Sequence, residues 1–268
     1  RVDRRQRQMC IRDRYIMTSI KEEEYEKAIN ITKFNFSCDD EDKTIPEPLP
    51  RKSFAMCIVG KPGSGKTNLL LCLVTKKGRA FNRKFDKVFI ISPSLSTIAD
   101  DDPFELIPDD QKFSEVSMDI LERITNDIKD SGDKVLLILD DCIADLRGRG
   151  NALVENKLQK MFFNRRHLCG AGGSCSIIAT SQTWTKIDPK LRKSCSHVIL
   201  FENRNKKEIK SIFDEAILIP EKEFMDVLKY TYDKKFNFLY IDTTKSQDTM
   251  LHKNFNKLLV DSPNIMKY

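Results

Sequence analysis

The chain has 268 residues, of which 40% are hydrophobic, and this suits one α/β domain with appendages. No apolar run approaches the ~20 residues that a membrane-spanning helix needs, so we expect no membrane span. The formal net charge is +6, but residues 1–16 hold six arginines against two aspartates, which leaves the rest of the chain at a net +2. Composition therefore gives no sign of a strongly basic domain after that segment.

Residues 1–16 differ in composition from residues 17–268, because they are rich in Arg whereas the remainder is rich in Lys. The string QMCIRDR within them resembles a translated adapter sequence. We therefore interpret residues 1–16 as non-native sequence and Met17 as a plausible start. The alternative is a basic arm that binds nucleic acid.

Residues 17–50 are charged and irregular, and we interpret them as an N-terminal arm. One helical stretch is predicted at Lys21–Ala28. Three prolines then force an extended approach to the first strand: Pro46, Pro48 and Pro50. Such an arm would cross the domain surface or contact a neighbouring subunit.

The eight cysteines include no CxxC pair. We expect reduced thiols in a soluble protein of a reducing, cytosol-like compartment. Four residues of metal-ligand type cluster in the second half of the chain, but their spacing matches no zinc pattern: His167, Cys169, Cys175 and Cys195.

The strongest motif is GKPGSGKT at Gly60–Thr67, which fits the phosphate-binding pattern G-x-x-x-x-G-K-S/T without mismatch. The apolar run Phe54–Val59 precedes it as a predicted strand, and Asn68–Val74 follows it as a predicted helix. The pattern needs this strand–loop–helix context, which makes a chance glycine turn a poor alternative. The predicted nucleotide-binding residues are Gly60, Lys61, Pro62, Gly63, Ser64, Gly65, Lys66, Thr67 and Asn68.

The residue types of this loop suit a Mg²⁺–triphosphate ligand. Glycines let backbone N–H groups surround the phosphates, and the loop ends at a helix N-terminus, where the dipole favours an anion. We expect Lys66 to reach the β- and γ-phosphates and the hydroxyl of Thr67 to bind Mg²⁺. The expected cofactors are therefore ATP and Mg²⁺.

The next segments predict a second strand and an acidic outer face. Gly78 is expected to stop the helix that follows the loop, and Lys87–Ile91 is a predicted strand. Ser94–Asp133 holds twelve acidic residues against three basic ones. It contains one predicted helix, Val116–Ile128, and its charge should keep it away from DNA.

Lys134–Asp141 (KVLLILDD) has the form of a Walker B motif. Its apolar run predicts a strand buried on both faces, which ends in two carboxylates at the edge where α/β sheets hold ligands. We expect Asp140 to hold Mg²⁺ through water and Asp141 to activate the attacking water. One carboxylate for the metal and one for the water indicates a hydrolase rather than a kinase.

The following elements supply candidates for sensing and for stabilising the transition state. A helix is predicted at Asn151–Leu168, and Arg166 near its end is our first choice for an arginine finger acting on a neighbour's ATP, with Arg192 and Arg165 in reserve. After the predicted strand Ser174–Thr180, we expect Gln182 to sense the γ-phosphate. The alternative for Gln182 is an ordinary glutamine in a loop, and the alternative for each arginine is a solvated helix end or a contact to a phosphate backbone.

The C-terminal half carries a basic stretch, with ten Lys or Arg against three Asp or Glu between Arg165 and Lys210. Trp184–Lys193 is predicted to be a basic loop that touches DNA phosphates, and its candidate contacts are Lys186, Lys190, Arg192 and Lys193. The remaining predicted elements are strands His197–Phe201 and Phe236–Ile241 and helices Glu202–Ile217 and Glu221–Asp233. We place the ATPase domain at residues 51–243 and a mixed C-terminal extension at 244–268.

The order of these motifs resembles the genome-packaging ATPases of large DNA viruses (the poxvirus and giant-virus type) and of virophages, within the FtsK–HerA superfamily. The specific elements are FFNRRHL, SIIATSQTW and DPKLRKSCSHVILF, and the resemblance covers about Phe54–Asp242. It implies an ASCE-type, RecA-like P-loop NTPase fold, with a mainly parallel sheet sandwiched between helices.

The resemblance also implies a homo-oligomeric ring that uses ATP to translocate double-stranded DNA into a preformed capsid. Capsid or portal vertex components would be partners, and the location would be the virion or the cytoplasmic viral factory of an infected cell. Two alternatives stay open: a helicase or DNA-pumping translocase of the same superfamily, and a nucleotide-gated structural particle protein without turnover.

Overall fold

A nine-stranded sheet, with strand order β3-β2-β4-β5-β1-β6-β7-β8-β9, forms the centre of the computed structural model. The structure describes residues 40–74, 80–95, 104–105, 107–146 and 149–260, all within the unit Phe36–Tyr268. Residues 1–16, the predicted helix at Lys21–Ala28 and Gly78 lie outside the described residues.

The first six strands run parallel and the last three are antiparallel. Their bounds are β1 Ala55–Val59, β2 Lys87–Ile91, β3 Lys112–Phe113, β4 Lys134–Leu139, β5 Ser174–Ser181, β6 His197–Phe201, β7 Phe238–Asp242, β8 Leu251–Lys253 and β9 Asn256–Lys257. The predicted fold class, a mainly parallel α/β sheet, is confirmed. The five long strands predicted for its parallel part are present.

Six α-helices flank the sheet in the described part of the chain: α1 Lys66–Val74, α2 Met118–Ile128, α3 Ala152–Asn164, α4 Pro189–Ser194, α5 Lys206–Ala216 and α6 Glu221–Thr231. Side chains cap the N-termini of several of these helices. Ser117 caps α2 by accepting the Ile120 amide, and Asn205 caps α5 by accepting the Lys207 amide. α3 is shorter than predicted, because a 3₁₀ turn, Arg165–His167, follows it.

Apolar layers cover both faces of the central strands. In β4, Val135, Leu137 and Leu139 pack into the core with α2 and α3, while Leu136 and Ile138 pack into the core with α1. Successive side chains of a strand point to opposite faces, so a strand between two cores needs an unbroken apolar run. This is why the sequence of β4 shows no polar alternation before its terminal aspartates.

The predicted strand Phe236–Ile241 is wrong at its start and is not the last strand. β7 begins at Phe238, and Phe236 sits in the preceding turn with a left-handed φ of +69°. The segment after β7 folds back as β8 and β9, which extend the sheet. The predicted boundary at residue 243 therefore falls inside this sheet.

The described part of the predicted arm packs onto the domain. Ile45 and Leu49 are buried beside the α1 face of the sheet, and Pro48 accepts a 2.8 Å hydrogen bond from the Tyr240 hydroxyl of β7. Among the described residues, no helix is long and apolar enough to cross a membrane.

Candidate functional site

The carboxyl ends of four neighbouring parallel strands meet at one edge of the sheet. The registers pair Ile91 of β2 with Leu139 of β4, Leu139 with Ala179 of β5, and Ser181 of β5 with Val59 of β1. The residues after these strands therefore lie side by side. The arrangement brings the predicted phosphate loop, both Walker B aspartates and Gln182 to one place.

The loop Gly60–Gly65 has the backbone that its glycines predict. Gly63 and Gly65 adopt left-handed φ angles of +73° and +102°. A methyl group at Gly60 would meet the Phe201 Cβ at 2.9 Å, so the close approach of the loop to β6 requires glycine there. Ser64 has a buried hydroxyl with no hydrogen-bond partner among the described residues, which suits a loop built to surround an anion.

Lys66 begins α1 and is only 6% exposed. Its ammonium donates to the Gly60 carbonyl at 2.8 Å and lies 3.8 Å from the Asp141 carboxylate. A buried ammonium needs charged or polar partners. The loop carbonyls and Asp141 therefore hold the cation at the helix N-terminus, beside the place where a phosphate would sit.

Asp140 is buried between two hydroxyls that the sequence interpretation missed. Ser92, at the end of β2, donates to one carboxylate oxygen at 2.9 Å, and Thr180, near the end of β5, donates to the other at 2.7 Å. Both residues are polar side chains at strand ends, and that is the signal by which they could have been found. They orient Asp140 from both sides.

Asp141 occupies a left-handed conformation with φ +49°, and its amide donates to the Thr180 hydroxyl at 2.9 Å. One carboxylate oxygen accepts a hydrogen bond from Gln182 Nε2 at 3.4 Å. The other, Oδ1, is buried without a hydrogen-bond partner among the described residues. Backbone strain and an unsatisfied buried oxygen both occur at sites where a ligand or water completes the arrangement.

The residues predicted to hold Mg²⁺ fit that ion in chemistry. Thr67 is exposed at the start of α1, and Asp140 presents its oriented carboxylate at the same edge. Mg²⁺ prefers oxygen donors and is commonly held by one or two carboxylates together with substrate phosphates. When bound, it would neutralise charge on the phosphate oxygens.

A buried carboxylate on α5 fixes the loop after Gln182. Glu208 is 3% exposed and accepts hydrogen bonds from the Trp184 amide at 2.7 Å and from the amide and hydroxyl of Thr185. Trp184 is itself buried at 1% exposure, so it is a core residue. The sequence showed Glu208 only as one charge of an amphipathic helix.

The prediction that Trp184–Lys193 is a loop is wrong in its second half, which forms α4. Asp188 caps this helix by accepting the Lys190 amide at 2.7 Å, and Pro189 fills its first position. Asp followed by Pro is a helix-start signal that the sequence interpretation overlooked. Six residues gave too short a pattern to show a periodicity.

Arg192 is removed from the predicted DNA contacts and from the reserve arginine fingers. It is 9% exposed, pairs with Glu215 at 2.7 Å, donates to Ser211 at 2.8 Å and stacks on Trp184. The Arg192 guanidinium is therefore held by partners within the domain. The three lysines of the same segment are exposed: Lys186, Lys190 and Lys193.

Arg165 and Arg166 lie at the opposite edge of the sheet from the phosphate loop. They line a cleft of about 800 Å³ together with Ser53, which precedes β1, and Ser196, which precedes β6. Burial lowers the pKa of the Arg165 guanidinium, and its Nε is buried without a hydrogen-bond partner among the described residues. Neither arginine reaches the triphosphate site of its own chain.

The same cleft contains a buried contact between a carboxylate and an imidazole. Asp242, at the end of β7, lies 3.6 Å from His197 Nε2 of β6. Burial raises the pKa of Asp242, but the hydrogen bond and charge of His197 and the hydrogen bonds from Thr244 outweigh burial and bring this pKa to about 2. The pair joins β6 to the antiparallel part of the sheet.

Comparison with known proteins identifies the family. The model of the family described as Poxvirus A32 protein matches residues 43–250. The chain belongs to the Poxvirus A32 protein family. This confirms the resemblance to poxvirus-type packaging ATPases drawn from the motifs. The match covers the sheet from β1 to β7 and all of the site residues described above.

One relative is the uncharacterized protein 015R of Frog virus 3 (isolate Goorha), which is 25% identical over 206 residues. The alignment covers 72% of this chain but only 58% of 015R, so the chain spans little more than half of that relative.

Two solved structures share the fold. The DNA-packaging ATPase B204 of Sulfolobus turreted icosahedral virus aligns with a TM-score of 0.53 and 19% identity, over 75% of this chain and 96% of B204. The genome packaging NTPase B204 of Sulfolobus turreted icosahedral virus 2, in complex with AMPPCP, aligns with a TM-score of 0.50 and 16% identity, over 75% and 96% of the two chains.

Proposed function

We propose that the protein is an ATPase that drives double-stranded viral DNA into a preformed capsid. The observation that carries this proposal is the Asp141 carboxylate, which lies 3.8 Å from the Lys66 ammonium and has one oxygen without a hydrogen-bond partner among the described residues. Family membership and the packaging role of B204 support it. The AMPPCP complex of the related NTPase supports an adenine nucleotide as the ligand.

Binding begins with the triphosphate in the loop. The amides of Gly60–Gly65 and the α1 N-terminus surround its negative charge, and Lys66 turns from the Gly60 carbonyl towards the β- and γ-phosphates. Thr67 would hold Mg²⁺ through its hydroxyl, and Asp140 would hold it through water. Ser92 and Thr180 keep the Asp140 carboxylate from rotating as the site fills.

Hydrolysis uses Asp141 as the residue that orients and deprotonates the attacking water. The Thr180 hydroxyl holds the Asp141 backbone, and Gln182 holds the second carboxylate oxygen. Lys66 stabilises the charge that grows on the transferred phosphoryl group. The β–γ bond then breaks, and the leaving group is ADP.

A continuous set of contacts leads from this site to the exposed lysines. Gln182 contacts Asp141, and Trp184 and Thr185, two and three residues later, are hydrogen-bonded to Glu208 of α5. Arg192 of α4 returns to the same helix through Glu215. α5 therefore holds both ends of the segment that carries Lys186 and Lys190. A movement of Gln182 on hydrolysis would then change the position of this segment.

We infer that Arg165 and Arg166 act between neighbouring subunits of a ring. Both lie at the far edge of the sheet, where a neighbouring subunit would bring its own triphosphate. Arg166 stays our first choice for a finger acting in trans, with Arg165 in reserve. Capsid or portal components would bind such a ring during packaging.

A steady-state phosphate-release assay with and without duplex DNA tests the proposal. We expect hydrolysis of ATP that is stimulated by duplex DNA regardless of its sequence. Absence of turnover under both conditions would favour a nucleotide-gated structural protein. Turnover accompanied by strand separation would favour a helicase.

A further inference from the structure

Phe236 stands beside the phosphate loop as an exposed aromatic ring. Its side chain is 56% exposed, and a methyl group added at Gly65 would meet the Phe236 Cδ1 at 3.5 Å. Gly65 directly precedes Lys66, so the ring borders the place where the triphosphate enters the loop. The hydrolysis described above makes no use of this ring.

The turn that carries Phe236 is strained and firmly anchored. A φ of +69° is unfavourable for a bulky side chain, and such conformations persist only where the surrounding structure imposes them. On one side the Phe238 amide donates to Asn254 at 2.9 Å, and Asn254 donates to Asn237 at 2.6 Å. On the other side Lys253 holds Asp233 at 2.6 Å.

These contacts hold the ring outside the core. Phe238, two residues later, is buried at 8% exposure, and an extended backbone at Phe236 would have continued the alternation of β7. The left-handed turn directs Phe236 towards Gly65 instead. Lys235 places its ammonium 4.7 Å from the centre of the same ring, which suits a π-surface near polyanionic ligands.

We propose that Phe236 is the platform on which the nucleobase of the bound nucleotide stacks. The inference rests on the proposed function, because the base is tethered through the ribose to phosphates held by Gly60–Lys66. A flat ring at the border of that loop offers the base a hydrophobic partner, and base–aromatic stacking is favourable for every base. The strength of stacking depends on the area of the base ring and not on its hydrogen-bonding groups. Purine nucleotides should therefore bind more tightly than pyrimidine nucleotides.

The test separates contacts to the base from contacts to the phosphates. Calorimetric titration of the full chain with Mg²⁺–AMPPCP and with Mg²⁺–tripolyphosphate measures each affinity. Phe236→Ala should weaken AMPPCP by about tenfold and leave tripolyphosphate unchanged. Phe236→Trp should restore AMPPCP binding. Phe163→Ala removes a ring of similar exposure, 53%, from α3 and should change neither affinity.

A second variant distinguishes loss of the aromatic ring from loss of folding. Phe236→Gly suits the left-handed φ, so its melting temperature should not fall below that of Phe236→Ala, while its AMPPCP affinity falls equally. An unchanged AMPPCP affinity in Phe236→Ala, or an equal loss for tripolyphosphate, would overturn the platform. If the wild-type chain bound neither ligand, the proposed function would fail and the platform with it.

Discussion

The Thr180 hydroxyl of β5 donates a 2.7 Å hydrogen bond to the Asp140 carboxylate of β4. The contact crosses between neighbouring strands, whose register sets it. The same hydroxyl accepts the Asp141 amide, so one side chain positions both Walker B residues. Thr180 is therefore a positioning residue for metal binding and for hydrolysis.

Replacing Thr180 with Val keeps the shape of the side chain and removes the hydroxyl. We expect the Mg²⁺ concentration for half-maximal ATP turnover to rise by roughly tenfold or more, as for other partners of metal ligands. Thr125→Val is the matched control, because the Thr125 hydroxyl donates to the Leu121 carbonyl of its own helix, α2. A Mg²⁺ titration that is the same for both variants would contradict this role.

The exposed lysines of the Trp184–Ser194 segment should contact DNA phosphates. Lys186→Ala combined with Lys190→Ala should weaken binding equally for unrelated duplex sequences and flatten the log–log salt slope by about one unit per lost contact. Basal ATP turnover should survive, and its stimulation by DNA should fall. Lys222→Ala with Lys229→Ala, exposed on α6, controls for net charge. Unchanged affinity and slope would move the DNA site elsewhere.

An arginine acting in trans makes turnover depend on neighbouring subunits. Specific activity should rise with protein concentration, and Arg166→Ala subunits mixed into wild type should inhibit more than dilution explains. Arg123→Ala subunits, changed at an exposed position of α2, should only dilute. A linear dose response for Arg166→Ala would argue against shared sites.

The pKa of Asp242 predicts an acid-dependent part of stability. Because this pKa is lowered from 3.8 to about 2, the charged carboxylate stabilises the fold fully above pH 4, and the stabilisation is lost as the pH falls towards 2. Asp242→Asn should lower the free energy of unfolding by about 2 kcal/mol at pH 6 and by about 1 kcal/mol less at pH 3. Urea unfolding of both proteins at both pH values measures this difference in the free energy of unfolding. The same difference at pH 6 and pH 3 would refute the prediction.

The sequence predicted the fold and the site wherever local pattern and chemistry coincide. The GKPGSGKT loop and the apolar run of β4 specify their own environment, so the sequence alone predicted Lys66, Asp140 and Asp141 as site residues, and they lie at one edge of the sheet. The structural roles of Glu208 and Arg192 could not be predicted from the sequence. Both roles depend on the packing of α5 against the segment that follows Gln182, which is distant in the chain. Phe236 was predicted to begin a strand, because its alternation with Phe238 has the period of a strand. The structure places it in a turn with a left-handed φ instead.

The most direct test of the account is ATP turnover by Asp141→Asn at saturating ATP. The substitution removes the base but leaves Lys66, Thr67 and Asp140 in place, so we expect unchanged ATP affinity and a loss of turnover of ~10² or more. Lys66→Ala should instead weaken both binding and turnover. Normal ATP hydrolysis by Asp141→Asn would contradict the assignment of Asp141 as the catalytic base and with it the proposed mechanism.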